Sequence, residues 1–474
     1  FKKLDYLACF GLTAIYAVVA LLNLGTTQAP ETVWTGKSGD TLEIVLPQET
    51  ALSDIRVFGG LYDGTVTLTA ADGTEITYKE ENGDMFRWKS IGGEDIGSED
   101  IGSEGIVTDT LTLKVTSGKV WFNEIALFDT QGSYVGAVAA AGGEALFDEP
   151  DQVPEKGSYL NGMYFDELYH ARTAYEHLNG IKPYENSHPP LGKVFIMLGI
   201  AMFGMNAFGW RIVGTIFGIF MVPIFYLFAK SLFKKTEYAL LAAGLFAFDF
   251  MHFVQTRIAT IDVYGVFFIL LMFYFMYRYY MMNFHSEPLK KTLWPLALSG
   301  VFFGLGAASK WICIYAGGGL AVVLFTSLTQ RYLEYRRFKN SDDAALREAV
   351  SQFWSKTIKT LLWCALFFIV IPVGIYLLSY LPYYLCKEPY DLKGVWGVQE
   401  FMFSYHSNLK ATHPYESPWW QWPFELRPIW YFVNYDVAEG NISTISSFGN
   451  PAVWWVSAIG AGMLAVRLLR SKIK

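Results

Sequence analysis

The side chains best suited to chemistry in this chain begin at an acid pair, Asp166 and Glu167, in FDELYHARTAYEHL. The pair stands at the start of a predicted helix, where free N–H groups favour an anion. Taken alone it reads most simply as a helix cap. A carboxylate there can also accept the proton of an attacking hydroxyl, which is worth about 10²- to 10⁴-fold in rate. Further along lie Arg211, Arg257, Lys310 and Arg427. An Arg fork suits phosphate oxygens and Lys acts as a point charge. Fixed cations that meet the charge growing on a leaving phosphate usually contribute more than the base does. Glu167 and Asp262 would orient these cations or an acceptor. His188 and His413 have Pro and aromatic neighbours and no close set of acids, so no metal is expected.

These residues need elements to hold them. The chain has 474 residues, 52% hydrophobic and only 17% charged, below the roughly one quarter charged of a soluble protein. Apolar runs at 6–24, 209–233, 238–254, 262–281, 292–309, 312–328, 357–381 and 451–469 approach the roughly 20 residues that cross a bilayer as a helix. The first lacks a convincing small-residue cleavage site and reads as an anchor. Lys2-Lys3, Lys234-Lys235, Lys290-Lys291, RYLEYRRFK and the tail RLLRSKIK all fall on one side. By the positive-inside rule that side, with both termini, is cytoplasmic. Segments 25–208 and 382–450 then face outward. Arg257 and Lys310 break the charge bias. A cation close to hydrocarbon is a functional candidate by default, with interfacial snorkelling as the plainer alternative.

Between about Thr26 and Val153 the texture changes. TLEIVL, GTVTLTA, TEITYKE, TLTLKVT and KVWFNEIALFD alternate apolar and polar residues, separated by turns such as ADGT and ENGD. That is the pattern of an antiparallel sandwich. VWFNEIALFDTQG resembles the closing strand of galactose-binding (discoidin-like) sandwiches, which implies glycan or acceptor binding; a spacer is the plainer alternative. The acidic near-repeat from Glu94 to Ile106 reads as a solvated loop. Cys9, Cys313, Cys364 and Cys386 lie in or beside apolar spans and read as small apolar residues. The basic residues form no single surface, so nucleic acid is not an expected partner.

After the sandwich, YFDELYHARTAYEHLNGIKPYENSHPPLGKVFIMLGIAMFGMNAFGWR reads as helix, turn, helix. The first helix ends near Leu178. Pro190 opens a second, amphipathic helix that ends near Phe203. The DE pair, HPPLGK (His188 to Lys193) and Arg211 are followed in order by TRIATIDVYGVFF, GLGAASKWICIYA, HPYESPWWQWPFELRPIWYF and GNPAVWW. This ordered set resembles the protein O-mannosyltransferase family, of bacterial type. The resemblance implies a GT-C fold and transfer of mannose from a polyprenyl-phosphate carrier to Ser or Thr hydroxyls. Asp166 would be the catalytic base. Glu167, His188, Lys193, Arg211, Arg257, Asp262, Lys310, His413, Trp422 and Arg427 would bind substrate, with Arg211 foremost for phosphate. Trp419, Trp420, Trp422, Trp430 and Tyr431 would stack on sugar or peptide, or form an interfacial belt. Family members usually continue beyond the GNPAVWW helix, so a shortened chain or a second chain supplying further helices is expected.

The expected architecture is an α-helical multi-pass membrane protein (GT-C-like) with an inserted extracytoplasmic β-sandwich. Its parts are a first transmembrane helix (1–25), the sandwich (26–153), an outer-face loop with two amphipathic helices (154–208), transmembrane helices two to seven (209–381), an outer loop (382–450) and a last helix with a basic tail (451–474). The membrane would be the bacterial plasma membrane. The donor would be polyprenyl-phosphate mannose and the acceptor a secreted or membrane protein, with membrane lipid around it and no cofactor required. One base without a covalent intermediate implies inversion. A glycolipid or cell-wall glycan acceptor is a second reading. A transporter or glycan sensor is a third, disfavoured by the lack of intramembrane charge chains.

Overall fold

The structure, a computed structural model, describes residues 2–81, 85–91, 105–410, 416–434 and 441–472. His413 and most of the acidic near-repeat lie outside the described residues.

Helix α1 (Lys3–Leu21) leads into strands β1 (Trp34–Lys37), β2 (Thr41–Gly59), β3 (Gly64–Ala70), β4 (Glu75–Glu80), β5 (Trp88–Ile91), β6 (Ile106–Asp129), β7 (Tyr134–Val135) and β8 (Val138–Ala139). They form one eight-stranded sheet in the order β4-β3-β6-β2-β5, with β1 and β7 on β6 and β8 on β2. The period-two alternation is visible in burial: Leu42, Ile44 and Leu46 point inward, as do Val66 with Leu68 and Leu111 with Leu113. Strands β2 and β6 each serve the sheet twice. Thr41–Val45 lie opposite Lys114–Thr110, and Asp54–Gly59 opposite Phe128–Phe122. Between those stretches Leu46–Glu49 have no partner in β6. Pro47, which has no N–H to give a ladder, sits in that gap. The runs TLTLKVT and KVWFNEIALFD, expected as separate strands, are one bent strand. Gly118 makes the corner at φ +68°, where an added Cβ would lie 2.4 Å from the Asp63 carbonyl oxygen.

Next come α2 (Glu167–Leu178) and α3 (Leu191–Phe203), then α4 (Ala207–Phe233), α5 (Thr236–Ala247), α6 (Phe250–Arg257), α7 (Asp262–Tyr280), α8 (Leu289–Ser309) and α9 (Ile312–Phe338). Helices α10 (Ala344–Ser351), α11 (Phe353–Ala365), α12 (Ile371–Ser379) and α13 (Leu381–Leu385) follow, with a π-turn at Leu366–Val370. Helix α14 (Leu392–Asn408), hairpin β9 (Ile429–Asn434) and β10 (Ser443–Ser447), and α15 (Pro451–Lys472) complete the described chain.

Among the described residues, seven helical segments are long and apolar enough to cross a membrane, or eight if the bent pair α5–α6 counts as one. The pair turns by 55°. The sequence, which suggests one span at 238–254, does not show this break. Its cause is Asp249, whose carboxylate accepts the His252 N–H at 3.2 Å and starts α6 as a new helix. The sheet rests on the helical body through aromatic contacts. Tyr175 on α2 meets Phe86 at 5.4 Å and Trp121 at 6.4 Å between ring centres.

Candidate active site

Asp166 occupies the N-cap position of α2, yet its side chain makes no capping hydrogen bond. The plain cap reading therefore does not account for it. The preceding Phe165 has φ +51°, a left-handed conformation that a bulky side chain adopts only when its surroundings impose it. Here the Phe165 ring lies 4.3 Å from that of Tyr431 on β9. Burial pushes the Asp166 pKa up to about 6, with Asp262 and Glu185 adding to the rise and Lys310 opposing it.

Lys310 and Asp262 form an ion pair at 2.6 Å, and both are partly exposed. Helix geometry brings them together: Asp262 opens α7 and Lys310 closes α8, two helices packed along their length. Asp166, Asp262 and Lys310 thus form one electrostatic group.

Glu167 and Arg211 do something else. Both are fully buried and joined by two bonds of 2.7 Å, Nε to Oε1 and Nη2 to Oε2. Arg211 also donates from Nη1 to the Leu24 and Tyr159 carbonyls and from Nη2 to that of Gly162. All five of its N–H groups are engaged. Glu167 further accepts the Ala259 and Tyr164 N–H groups. The expectation that Arg211 presents its fork to a phosphate, and that Glu167 touches substrate, is corrected. The pair is a buried clamp tying α1, α2, α4 and the start of α7.

Lys193 is corrected likewise. Its side chain is fully buried, is paired with Glu185, and donates to the Glu185 carbonyl at 2.7 Å and the His188 carbonyl at 3.3 Å. Burial works against ionisation of Glu185, but Lys193 and His170 outweigh it and hold the carboxyl at about 2. The HPPLGK stretch thus runs from a turn at His188–Pro190 into the first turn of α3, held there by Lys193. His188 stands at its edge with its ring 5.1 Å from that of His406 and 6.1 Å from that of His170. Burial lowers the His188 pKa to about 4, so its ring is neutral at pH 7.

Arg257 lies apart. It donates from Nη2 to the Leu22 and Asn23 carbonyls at 2.6 and 2.7 Å and lines a cleft of about 500 Å³ that does not include Asp166. Trp422 is exposed in a short 3₁₀ turn (Trp419–Phe424), its indole N–H donating to the Ser417 hydroxyl. Arg427 donates to the Glu416 carbonyl. Neither is brought against Asp166.

Sequence reasoning missed Tyr431 as the ring behind Phe165, and Asp249. The Asp249 Oδ2 accepts the Asn450 N–H and the Trp454 indole N–H, both at 3.0 Å. The signal was present: an acid inside an apolar run, and an Asn and a Trp in GNPAVWW. Glu124, Asp148 and Glu149 in the sheet region also cluster, with carboxylate oxygens within 4.8 Å of one another.

Two family models match this chain. Residues 155–384 match dolichyl-phosphate-mannose-protein mannosyltransferase, and residues 391–474 match the C-terminal four-transmembrane region of protein O-mannosyltransferase. The chain belongs to the protein O-mannosyltransferase family. With its helices it is a multi-pass membrane protein of that family. The polyprenol-phosphate-mannose–protein mannosyltransferase of Mycolicibacterium smegmatis is 28% identical, the match covering 62% of this chain and 64% of that one. The chain thus spans a little under two thirds of that relative. Proteins of the same name from Mycobacterium tuberculosis (62% of this chain, 63% of that one) and Corynebacterium glutamicum (70% and 69%) are each 26% identical. The Pmt1–Pmt2 O-mannosyltransferase complex of S. cerevisiae, solved with its sugar donor, matches at TM-score 0.38 and 18% identity. That match covers 46% of this chain and 30% of that one, an overlap too loose to transfer geometry. The residues of this chain that converge are Asp166, Asp262 and Lys310. Glu167, Lys193 and Arg211 build the frame behind them.

Proposed function

We propose that this chain is an inverting mannosyltransferase of GT-C type. It moves mannose from a polyprenyl-phosphate carrier to Ser or Thr hydroxyls of proteins on the outer side of the bacterial plasma membrane. The observation that carries the reading is the Asp166 carboxyl, free of capping, raised to about 6 and beside the Lys310–Asp262 pair. A base is most effective with a pKa near the working pH. The acceptor oxygen attacks the anomeric carbon and its proton passes to Asp166. The bond from that carbon to the phosphate oxygen breaks, and the phosphate departs with the electron pair, its growing negative charge stabilised by Lys310. Retention would need a second carboxylate as nucleophile. Glu167, with both oxygens bound to Arg211, is not free for that role.

Relatives named for polyprenol-phosphate mannose and protein acceptors support the choice of donor and acceptor. The charge pattern of the loops supports an outward site. The eight-stranded sheet we read as a galactose-binding type of sandwich that guides acceptors to α2.

The test is transfer to peptide acceptors by the purified chain in lipid with polyprenyl-phosphate mannose, followed by mass spectrometry. Asp166→Asn should lower the rate about 10²-fold or more with insertion unchanged. Full activity in that variant overturns the base assignment. A β-linked product from a β-linked donor overturns inversion.

A further inference from the structure

Among the described residues Arg257 is a cation with no carboxylate partner. It stands at the end of α6, beside the end of α1, where its Nη2 caps the Leu22 and Asn23 carbonyls. Its Nε is buried and has no hydrogen-bond partner. Its other contact among the described residues is the Phe253 ring, 4.6 Å away. A guanidinium partly removed from water is costly unless an anion meets it.

The cleft that Arg257 lines has the chemistry of an amphiphile site. Its volume is about 500 Å³. Ser443, Thr444 and Ser446 of β10 line it together with the apolar residues Phe250, Val254 and Phe448. Phe250, which lines the cleft, is 45% exposed, and Leu22, whose carbonyl Arg257 caps, is 60% exposed, so exposed apolar surface adjoins the cleft.

We propose that this cleft holds the phosphate head group of an anionic glycerophospholipid, with Arg257 as its cation and the hydroxyls of β10 as further donors. The acyl chains run out along Phe250 and Phe448. An ordinary membrane lipid fits better than the sugar donor for a geometric reason. Arg211 and Tyr164 line the cleft, and the buried Glu167 lies behind them, bound to Arg211. The charges that act on Asp166 are those of Asp262, Lys310 and Glu185. The lining of the cleft does not include Asp166, Asp262 or Lys310. A phosphate on Arg257 instead staples α1, α6 and the hairpin β9–β10, which carries Tyr431 to Phe165. This inference does not depend on the mannosyl-transfer reading.

The test uses the full chain, delipidated in neutral detergent, with phosphatidylglycerol, phosphatidylcholine or polyprenyl phosphate added separately. Native mass spectrometry reads bound lipid, and thermal unfolding reads protection. The expected result is retention of phosphatidylglycerol and a rise in melting temperature that phosphatidylcholine does not give. Arg257→Gln should weaken phosphatidylglycerol binding about tenfold or more, and Arg257→Lys less, because it keeps the charge. Ser446→Trp fills the cleft with Arg257 intact and should also abolish the protection, while its far-UV circular dichroism shows that it folds. Equal protection by both phospholipids, or full retention of phosphatidylglycerol by Arg257→Gln and Ser446→Trp, overturns the site. Protection by polyprenyl phosphate alone overturns the choice of lipid and assigns the cleft to the donor.

Discussion

Asp166 titrates where it does because three influences meet at one carboxyl. Burial and the neighbouring acids raise it from 3.8 to about 6, and Lys310 holds it down. In the proposed role of base it must be ionised, so transfer should rise with pH through about 6 and level off above. Removing the Lys310 charge with Lys310→Met should move that limb to higher pH as well as lower the plateau. Asp262→Asn should move it to lower pH. A pH–rate profile of kcat/KM checks both signs, and a limb that stays put in both variants would detach Asp166 from it. Glu124 shows the same physics without chemistry. It is fully buried, one oxygen has no partner, and burial with Asp148 and Glu149 nearby raises it to about 8. Below about 4.5 it is protonated folded or unfolded. Between about 4.5 and 8 only the unfolded chain ionises, so stability falls as pH rises through that window. Glu124→Gln should remove this slope and gain on the order of a few kcal/mol at pH 8. Thermal melts across pH 5 to 8 would show it.

At the scale of elements, the Glu167–Arg211 clamp decides where α2 begins. Breaking a buried, hydrogen-bonded ion pair from one side leaves an uncompensated charge and costs about 3–5 kcal/mol. Glu167→Gln should therefore lower the melting temperature sharply and reduce activity in proportion to folded protein. Asp166→Asn should spare stability and remove rate. Comparing the two by melting and by kcat separates frame from chemistry, though the residues are adjacent in the chain. The break at Asp249 works the same way. One carboxylate starts α6 and receives the Asn450 and Trp454 donors of the GNPAVWW segment. Asp249→Ala should free α15 from that anchor, with faster amide exchange across Pro451–Lys472.

The whole molecule is a helical membrane body with a sheet resting on α2, and the proposed orientation belongs to this scale. Asp72 lies in an exposed turn of the sheet, and Lys339 caps the exposed end of α9. With the sheet outside, Asp72→Cys should react with a membrane-impermeant thiol reagent on intact cells. Lys339→Cys should react only after permeabilisation. The opposite pattern inverts the topology. Of the native thiols, Cys313, Cys364 and Cys386 are buried, and the half-buried Cys9 is replaced by Ser in both variants.

Much of this was legible in the chain itself. Apolar length is a local property, so the spans could be read from runs of residues. Alternation is also local, so the sheet region announced itself. The order of the motifs pointed to the family, and the charges in the loops pointed to an orientation. What no run of residues contains is who meets whom. Arg211 and Lys193 carry the same charge as Lys310 and stand in equally distinctive motifs. Only the packing of α2, α3 and α4 buries those two against Glu167 and Glu185, and leaves Lys310 partly exposed beside Asp166. The single strand β6 and the bend at Asp249 were also missed. The corner of β6 packs on Asp63 far along the chain, whereas the bend comes from a local cap, an acid inside an apolar run, whose distant partners Asn450 and Trp454 only the fold reveals.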